Sequence, residues 1–534
     1  MRIDMVLLSR MGLLYLFLPV LIFLTGWVRV ELALPCSLMA LVALKMAWRN
    51  DAEGEILPSA GLEGTKLQLP VLGLLIVIAV AVAWCAVCGQ GGLVVQKGDW
   101  FARNALFRDL ITHRWPVFYP RTDGTLSYYV GHWLPAGAVG KLVLMLGGSN
   151  ESAWRIGYLA LFAWTAFGVL LTWLVLLAAV RIDSSVGWVC AFMALFILFG
   201  GMDALGILFR QAERWMAGLP PSLARWRNMD NGWSLTRELH WGKGFQFSSM
   251  TTLLSWVFNQ TVSPWLATAL VAADRRMNRL GIYVFPLLIC APFPFIGLST
   301  MLFIVWLFVF CRSDNRARIL RSTFSAANVL SFCSAAVLPA LYLSSNMNRG
   351  VVDVFYQWDW ITIFKYAWFL ALEIGVFVLY LRESEFRNPW FAASLLVLVA
   401  FPCIYIGQYR DFGMRATIPP LFLLCAWMAR NLLVVRRGKW IWLAVAIGAV
   451  GPICSMVSTI QETGEAWPSV VPTKSMYKIW PDFWRCRDSG TYDLDREALE
   501  RIYKWYVYYG RRPSETVFFK YCARRQQGLS GKEK

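Results

Sequence analysis

The length of its apolar runs constrains this chain more than any other feature, since many extend over roughly 17–25 residues, enough to cross a bilayer as a helix. Lipid offers no hydrogen-bond partners, so a backbone that crosses it must pair its own N–H and C=O groups, which favours helices. Of the 534 residues, 58% are hydrophobic and only 16% are charged. Soluble domains carry roughly 25% charged residues. We therefore predict an all-α, polytopic transmembrane bundle of roughly twelve membrane segments.

The net charge of +18 would suggest nucleic acid as the partner of a soluble protein. Here, Lys and Arg favour loops on the cytoplasmic side of a membrane, and some can meet anionic headgroups, so we expect membrane lipids as partners and no nucleic acid. Four basic clusters in the second half of the chain fit that side: residues 275–279, 312–321, 382–387 and 430–439.

The alternation of apolar runs and basic clusters predicts two large outer loops, residues 96–132 and residues 211–250. Counting spans from the N-terminus instead places residues 211–250 inside. The conflict disappears if the run 186–209 breaks at Gly200-Gly201 into a re-entrant pair, because irregular backbone at membrane depth is tolerated where it lines a cavity. The run that contains Pro292-Phe293-Pro294 has basic clusters at both ends and should turn back there as two short helices.

Three regions follow from this pattern. Residues 1–66 form an N-terminal transmembrane hairpin and its connector, and residues 67–460 form a transmembrane core with the two outer loops. Residues 461–534 form a polar tail that the number of spans places on the extracytoplasmic side.

Asp99 is the first candidate for chemistry, because it follows a membrane helix closely and opens a long loop rich in aromatic and charged residues. A carboxylate there could act as general base towards an acceptor hydroxyl, or as a metal ligand. The alternative is a loop carboxylate paired with Arg103 one turn later. The spacing alone does not favour either.

Asp203 follows the two glycines inside an apolar run, where a charge is costly. It is a candidate cavity-lining carboxylate near the substrate, and the alternative is the N-cap of the helix that starts at the break.

Arg410 and Arg415 lie at a helix boundary, and two guanidinium forks match the oxygens of a phosphate or pyrophosphate. The alternative is an ion pair of either arginine with Asp411, which would leave one arginine over.

His240, Lys243 and Gln260 are weaker candidates for binding a sugar, His240 and Lys243 being next to Trp241 and Gln260 next to Asn259. Tryptophan stacks on sugar rings, and amides bind hydroxyl groups. The simpler alternatives are interfacial anchoring for Trp241 and hydrogen bonds between helices for Asn259 and Gln260. The sequence contains no Walker A, zinc-finger or GxSxG motif.

The layout resembles the GT-C superfamily of integral membrane glycosyltransferases, which includes protein mannosyltransferases and lipid A aminoarabinose transferases. Gly98-Asp99-Trp100 occupies the place of that family's acidic residue in the first large outer loop, and residues 126–157 are similar to its aromatic-rich helix, glycine turn and Arg-bearing next helix. The resemblance implies a polyprenyl-phosphate-linked sugar as donor and an outer-side hydroxyl as acceptor. It also implies that Asp99 is the base and that Arg410 or Arg415 holds the donor phosphate.

Two departures from the family pattern matter. An extra hairpin, residues 11–46, precedes the presumed first family helix, and Asp99 is followed by Trp100 without the acidic pair that many members have. The second departure puts a family-type metal site in doubt, so no cofactor is assigned, and a divalent metal, Mg²⁺ or Mn²⁺, is left open.

We expect a multi-pass protein of the bacterial inner membrane whose acceptor is a cell-surface glycan, lipid or protein. One alternative is a polysaccharide polymerase or ligase, which also uses a large outer loop and arginines, here to hold a lipid pyrophosphate, but typically needs no early carboxylate. A transporter or flippase ranks last, because we find no convincing internal repeat and the polar residues concentrate in loops.

Overall fold

The computed structural model of the protein describes residues 2–48, 55–96, 100–119, 124–182, 185–218, 245–346, 358–406, 411–466, 509–510 and 512–525. Within these ranges, nine helical segments are long and apolar enough to cross a membrane, and four shorter apolar helices accompany them. The predicted class, an all-α polytopic membrane protein, is therefore confirmed in length and composition. The nine segments are Met5–Trp27, Val30–Trp48, Asn150–Val180, Val186–Glu213, Pro292–Arg312, Ala326–Leu343, Trp360–Glu385, Ile418–Val435 and Ile441–Gly464.

The first half of the bundle starts with the predicted hairpin. It continues with long apolar helices and with shorter helices between them. Helices α1 to α10 are Met5–Trp27, Val30–Trp48, Val71–Val87, Trp100–Thr112, Leu134–Met145, Asn150–Val180, Val186–Leu198, Asp203–Met216, Met250–Val257 and Val262–Ala273. Strands β1 (Arg2–Asp4) and β2 (Lys66–Gln68) pair antiparallel beside the hairpin.

The second half contains more interrupted helices. Helices α11 to α23 are Leu280–Val284, Leu287–Cys290, Pro292–Arg312, Arg316–Thr323, Ala326–Phe332, Leu338–Leu343, Trp360–Leu370, Val376–Glu385, Pro389–Ala400, Asp411–Ala416, Ile418–Ala429, Ile441–Gly448 and Val450–Ala466. Three π-helical turns join or extend some of them: Cys333–Val337, Ala371–Gly375 and Arg430–Val435. A three-stranded sheet combines β3 (Phe118–Tyr119), β4 (Gly124–Leu126) and β5 (Tyr509–Gly510), all antiparallel.

One end of the bundle, which we call the connector end, is organised by the chain between α2 and α3. The Gly64 N–H donates to Ala179 O at the end of α6, and the Ile56 N–H donates to Arg275 O after α10. The Trp390 and Trp427 indoles donate to connector carbonyls, at 2.9 and 2.8 Å. Since the Arg430 guanidinium also pairs with Glu385 at 3.0 Å, the basic clusters around α10, α18 and α21 meet at this end.

The opposite end, the loop end, gathers the α1–α2 turn, the loop after α3 and the end of α16. The Arg29 N–H donates to Cys522 O in the C-terminal segment, at 2.9 Å. The Ser127 hydroxyl donates to Tyr342 O at 2.9 Å. The Val95 N–H donates to the Thr463 hydroxyl at 3.0 Å, so α23 also reaches this end.

Helix α5 resolves the conflict in counting spans. It has 12 residues, about 18 Å, whereas α6 has 31 residues, about 46 Å. His132, just before α5, contacts Thr165 halfway along α6, and a Cβ at Gly140 would lie 3.1 Å from Ala153 O. Helix α5 therefore runs back along the first half of α6 and does not cross the bundle.

The predicted re-entrant pair at Gly200-Gly201 is wrong, although the helix does break there between α7 and α8. Trp188 lies near the start of α7, and its ring centroid is 4.5 Å from the guanidinium carbon of Arg436 at the connector end. Phe209 in α8 contacts Trp368, 5.3 Å between ring centroids, on the loop-end half of the α17–α18 helix. The glycines bend the helix without reversing it, so Val186–Glu213 is one kinked segment.

The second predicted reversal is confirmed. The chain turns at Ala291 between α12 and α13, and both limbs return to the same end, where the Thr323 hydroxyl contacts Met277 Sδ at 3.4 Å. The outgoing limb consists of short helices, as predicted. The returning limb differs from the prediction, because α13 has 21 residues and is long enough to cross a membrane.

Candidate functional site

Four of the predicted site residues lie outside the described residues: Asp99, His240, Lys243 and Arg410. The other three, Asp203, Gln260 and Arg415, are described and lie in two different places.

Arg415 is buried at the loop end, with 8% of its surface exposed. Helix α20 places it one turn after Asp411, whose carboxylate it contacts at 2.6 Å. Its guanidinium also donates a hydrogen bond of 2.7 Å to the Tyr129 hydroxyl. The local ion pair that the sequence offered as the alternative is therefore present, and it leaves part of the fork directed to Tyr129.

Tyr129 is the centre of what we call the Tyr129 cluster: Arg103, Tyr128, Tyr129, Asp411 and Arg415. The hydroxyls of Tyr128 and Tyr129 contact each other. Burial raises the pKa of Tyr129, while Arg415 and Arg103 lower it and Asp411 raises it. Among the described residues, two guanidinium groups and one carboxylate act on this hydroxyl. The cluster is therefore suited to an anion.

Arg103 is a residue that the sequence suggested only as a partner of Asp99. It is 3% exposed, and its guanidinium lies 5.9 Å from the Phe258 ring centroid. The sequence signal that could have identified Arg103 as a site residue is its position in the first turn of α4, three residues after Trp100. No local pattern indicated that Arg103 and Arg415 would act on the same tyrosine, because the two arginines are far apart in the chain.

Aromatic packing fixes the start of α4. The Trp100 ring stacks on Phe258 at 4.6 Å, and its indole donates to Ser255 O at 2.8 Å. Trp133 packs edge-on against the same Phe258 at 5.8 Å. On the other side of Asp99, the Gln96 amide donates to Gly89 O at 2.7 Å. Both described neighbours of the Asp99 segment are thus anchored at the loop end.

Gln260 lies beside this aromatic group in the 3₁₀ turn Phe258–Gln260, where it and Asn259 are buried. Within the described part of the chain, both amide atoms of Asn259 and the amide oxygen of Gln260 are buried without a hydrogen-bond partner, so the alternative of hydrogen bonds between helices is not supported for these atoms. The His132 ring packs edge-on against the same Phe258, with 5.3 Å between the ring centroids. Burial lowers the pKa of His132 to about 3, so this imidazole is neutral at physiological pH.

Asp203 lies elsewhere, at the kink between α7 and α8. The N-cap residue of α8 is Met202 and not Asp203, which is already the first helical residue, so the N-cap interpretation is wrong by one position. The Met202 N–H donates to Leu372 O at 3.3 Å. This bond joins the kink to the π-helical turn Ala371–Gly375.

Glu373 in that turn is a second buried carboxylate, and the sequence analysis missed it. A Cβ at Gly201 would lie 1.7 Å from its carboxylate oxygen, so any larger residue would force the Glu373 side chain to shift. Glu373 also lines a pocket with Gly200, Gly201 and Ser248. A single Glu within an otherwise apolar run was the signal available in the sequence.

The described residues contain no group of three or more His, Cys, Asp or Glu side chains that could hold a metal ion. They bring together buried arginines at the loop end and buried carboxylates at the α7–α8 kink. No protein-family model, no curated protein and no solved structure matches the chain.

Proposed function

We propose that the protein is a GT-C-like membrane glycosyltransferase of roughly twelve membrane segments. It moves a sugar from a polyprenyl-phosphate donor to a hydroxyl of a cell-surface glycan, lipid or protein. The observation that carries the proposal is the Tyr129 cluster, in which the buried Arg415 guanidinium contacts both Asp411 and the Tyr129 hydroxyl and Arg103 is a second buried guanidinium. Such a site attracts an anion that arrives on a lipid.

The chemistry needs this arrangement because the leaving lipid phosphate gathers negative charge as the sugar departs. A guanidinium fork in a water-poor site stabilises that charge more than it would in water. Arg415 is already held by Asp411 and Tyr129, so little side-chain entropy is lost when a phosphate binds. Arg410, five residues earlier in the chain, is proposed to bind the same phosphate.

Asp99 is the proposed base that takes the proton of the acceptor hydroxyl. Its described neighbours Gln96 and Trp100 are both anchored at the loop end, the end that carries the Tyr129 cluster. His240, Lys243 and Gln260 are proposed to contact the sugar, and no metal is assigned. We further propose that the loop end faces away from the cytoplasm of a bacterial inner membrane, since the basic clusters meet at the opposite end.

The test uses purified protein, a radiolabelled polyprenyl-phosphate sugar and a membrane-extract acceptor. Asp99→Asn keeps the shape and removes the base, so turnover should fall at least ~100-fold while donor binding is largely kept. Glu151→Gln, an exposed carboxylate at the loop end, is the matched control and should transfer sugar at the wild-type rate. Unchanged turnover of Asp99→Asn would favour the polymerase or ligase alternative, in which the arginines hold a lipid pyrophosphate.

A transporter, ranked last from the sequence, is favoured by one observation in the structure. Asp203 and Glu373 are both buried within membrane-length helices, at a kink and at a π-helical turn that touch. Ionisable residues at such depth often mark ion or proton pathways. If purified protein in sealed vesicles moves a lipid-linked sugar across the bilayer, and Glu373→Gln abolishes that movement, the transport function replaces the transferase.

A further inference from the structure

We propose that residues 516–524, which we call the strap, position the Tyr128–Tyr129 backbone for the contact with Arg415. The strap belongs to the C-terminal part of the chain and is far in the sequence from every predicted site residue. The consequence for donor binding rests on the proposed function, whereas the positioning itself does not.

The strap is fastened to the α1–α2 turn. The Arg29 N–H donates to Cys522 O at 2.9 Å, and the Arg524 N–H donates to Trp27 O at 2.8 Å. Between these two bonds, Ala523 pairs with Val28 as an antiparallel bridge. Because α1 and α2 are long apolar helices, the turn between them gives the strap a rigid base.

One strap residue, Phe518, points into the bundle. It is fully buried, and its ring packs against Phe23 at 5.9 Å and against Tyr342 at 5.4 Å. Its neighbour Tyr521 is 55% exposed, so the segment has one inward side and one outward side. Phe518 therefore fills the space behind Tyr342 and keeps the Tyr342 ring next to the loop that contains residues 126–128.

Tyr342 transmits this packing to the loop. Its hydroxyl donates to Leu126 O at 3.1 Å and accepts a hydrogen bond from the Tyr128 N–H at 3.3 Å. Both ends of the Leu126–Tyr128 backbone are therefore held by one side chain, directly before Tyr129. Phe518, Tyr342 and the Tyr128 backbone form a continuous series of contacts that ends at the Arg415 guanidinium.

The same part of the chain supports the loop a second time. Strand β5 adds to the edge of β4, with Thr125 opposite Gly510 and Leu126 opposite Tyr509. A two-stranded ribbon alone is marginally stable, so the third strand contributes to the order of this loop. Small displacements matter at such a site, because an error of about 1 Å in a positioned group can cost about a hundredfold in rate.

The experiment uses the full-length protein in lipid nanodiscs. Phe518→Ala removes the packing behind Tyr342, and Tyr342→Phe removes the hydroxyl that holds the loop. Hydrogen exchange measured by mass spectrometry should show the Tyr128 amide exchanging about tenfold faster in both variants, which corresponds to the loss of about one hydrogen bond. Tyr521→Ala, in the same segment but exposed, is the matched control and should leave this exchange unchanged.

The second measurement is the affinity for farnesyl phosphate, a short polyprenyl phosphate. The Kd should rise about tenfold in Phe518→Ala and Tyr342→Phe, with the thermal midpoint of the rest of the protein unchanged, and Phe518→Leu should restore most of it. If Phe518→Ala does not fold, Phe518→Leu and Tyr342→Phe still give both measurements.

Unchanged exchange of the Tyr128 amide in Tyr342→Phe and Phe518→Ala would contradict the proposal that the strap holds this loop. Faster exchange with an unchanged Kd would also overturn it as a positioning element. If the wild-type protein does not bind farnesyl phosphate, the donor assignment in the proposed function fails. The exchange measurement alone then decides whether the strap holds the loop.

Discussion

The Arg415 guanidinium donates a hydrogen bond of 2.7 Å to the hydroxyl of Tyr129, although the two residues are 286 positions apart in the chain. This contact joins the start of α20 to the loop before α5. It brings Arg415 together with Arg103, which acts on the same hydroxyl from α4. Three separate parts of the chain thus contribute to one positively biased site.

Arg415→Lys should weaken binding of farnesyl phosphate about tenfold to a hundredfold, because lysine keeps the charge but cannot bridge Asp411, Tyr129 and a phosphate at once. Isothermal titration of the purified protein measures this. Arg155→Lys is the matched control, since Arg155 pairs with Glu151 on an exposed face of the loop end, at 2.7 Å. Equal affinities of wild type and Arg415→Lys would remove Arg415 from the donor site.

Gly201→Ala should destabilise the fold by about 1–3 kcal/mol, the usual cost of overpacking. The added methyl would lie 1.7 Å from the Glu373 carboxylate, so this buried side chain must shift. Thermal unfolding in detergent measures the change. Gly187→Ala in α7 meets no atom within 4 Å and should be neutral. A combined Gly201→Ala, Glu373→Ser variant should lose less stability than Gly201→Ala alone, because serine gives the methyl room.

His132 should make the protein less stable as the pH falls. Burial lowers the folded-state pKa of His132 from 6.5 to about 3, so the unfolded chain binds the proton first. The stability contributed by the neutral imidazole is fully present above pH 6.5 and is lost progressively as the pH falls towards 3. Unfolding midpoints measured between pH 7 and pH 4 should fall less steeply in His132→Gln than in wild type. His113→Gln, a partly exposed histidine of the same loop, is the control.

Cysteine labelling should separate the two ends of the bundle. Arg114 and Tyr521 are exposed at the loop end, and Arg437 is exposed at the connector end. In intact cells, an impermeant thiol reagent should label Arg114→Cys and Tyr521→Cys, and label Arg437→Cys only after permeabilisation. The parent for these variants lacks Cys190 and Cys311, which are exposed among the described residues, and also Cys486, which lies outside them. Labelling of all three positions in intact cells would contradict the proposed orientation.

Much of the fold was predictable because its causes are local. Long apolar runs must be helical in lipid, so the class of the protein followed from hydropathy alone. The glycine pair at Gly200-Gly201 weakens a helix, and Pro292 and Pro294 favour the first turn of a new one. Both breaks are where the sequence placed them, between α7 and α8 and before α13.

The direction of the chain after each break was not predictable in the same way. The sequence of α5 is apolar enough to suggest a crossing, and only its packing against half of α6 shows that it returns. At Gly200-Gly201, the bond from Met202 to Leu372 and the contact of Phe209 with Trp368 decide that the helix bends and continues. These contacts join residues far apart in the chain, so no local pattern encodes them.

The features of the candidate site also separate into those that the local sequence indicates and those that depend on tertiary contacts. The sequence by itself determined that the protein is a helical membrane protein with basic clusters, and it marked Arg415 and Asp203 as unusual polar residues near helix boundaries, because composition, charge and glycine act over a few residues. Only the tertiary structure decided that Arg415 contacts Tyr129 while the Arg103 charge acts on the same hydroxyl, that Glu373 packs on Gly201, and that Phe518 packs behind Tyr342. Each of these depends on how separate helices pack, since the energy of a buried charge or ring is set by neighbours that the chain brings from elsewhere.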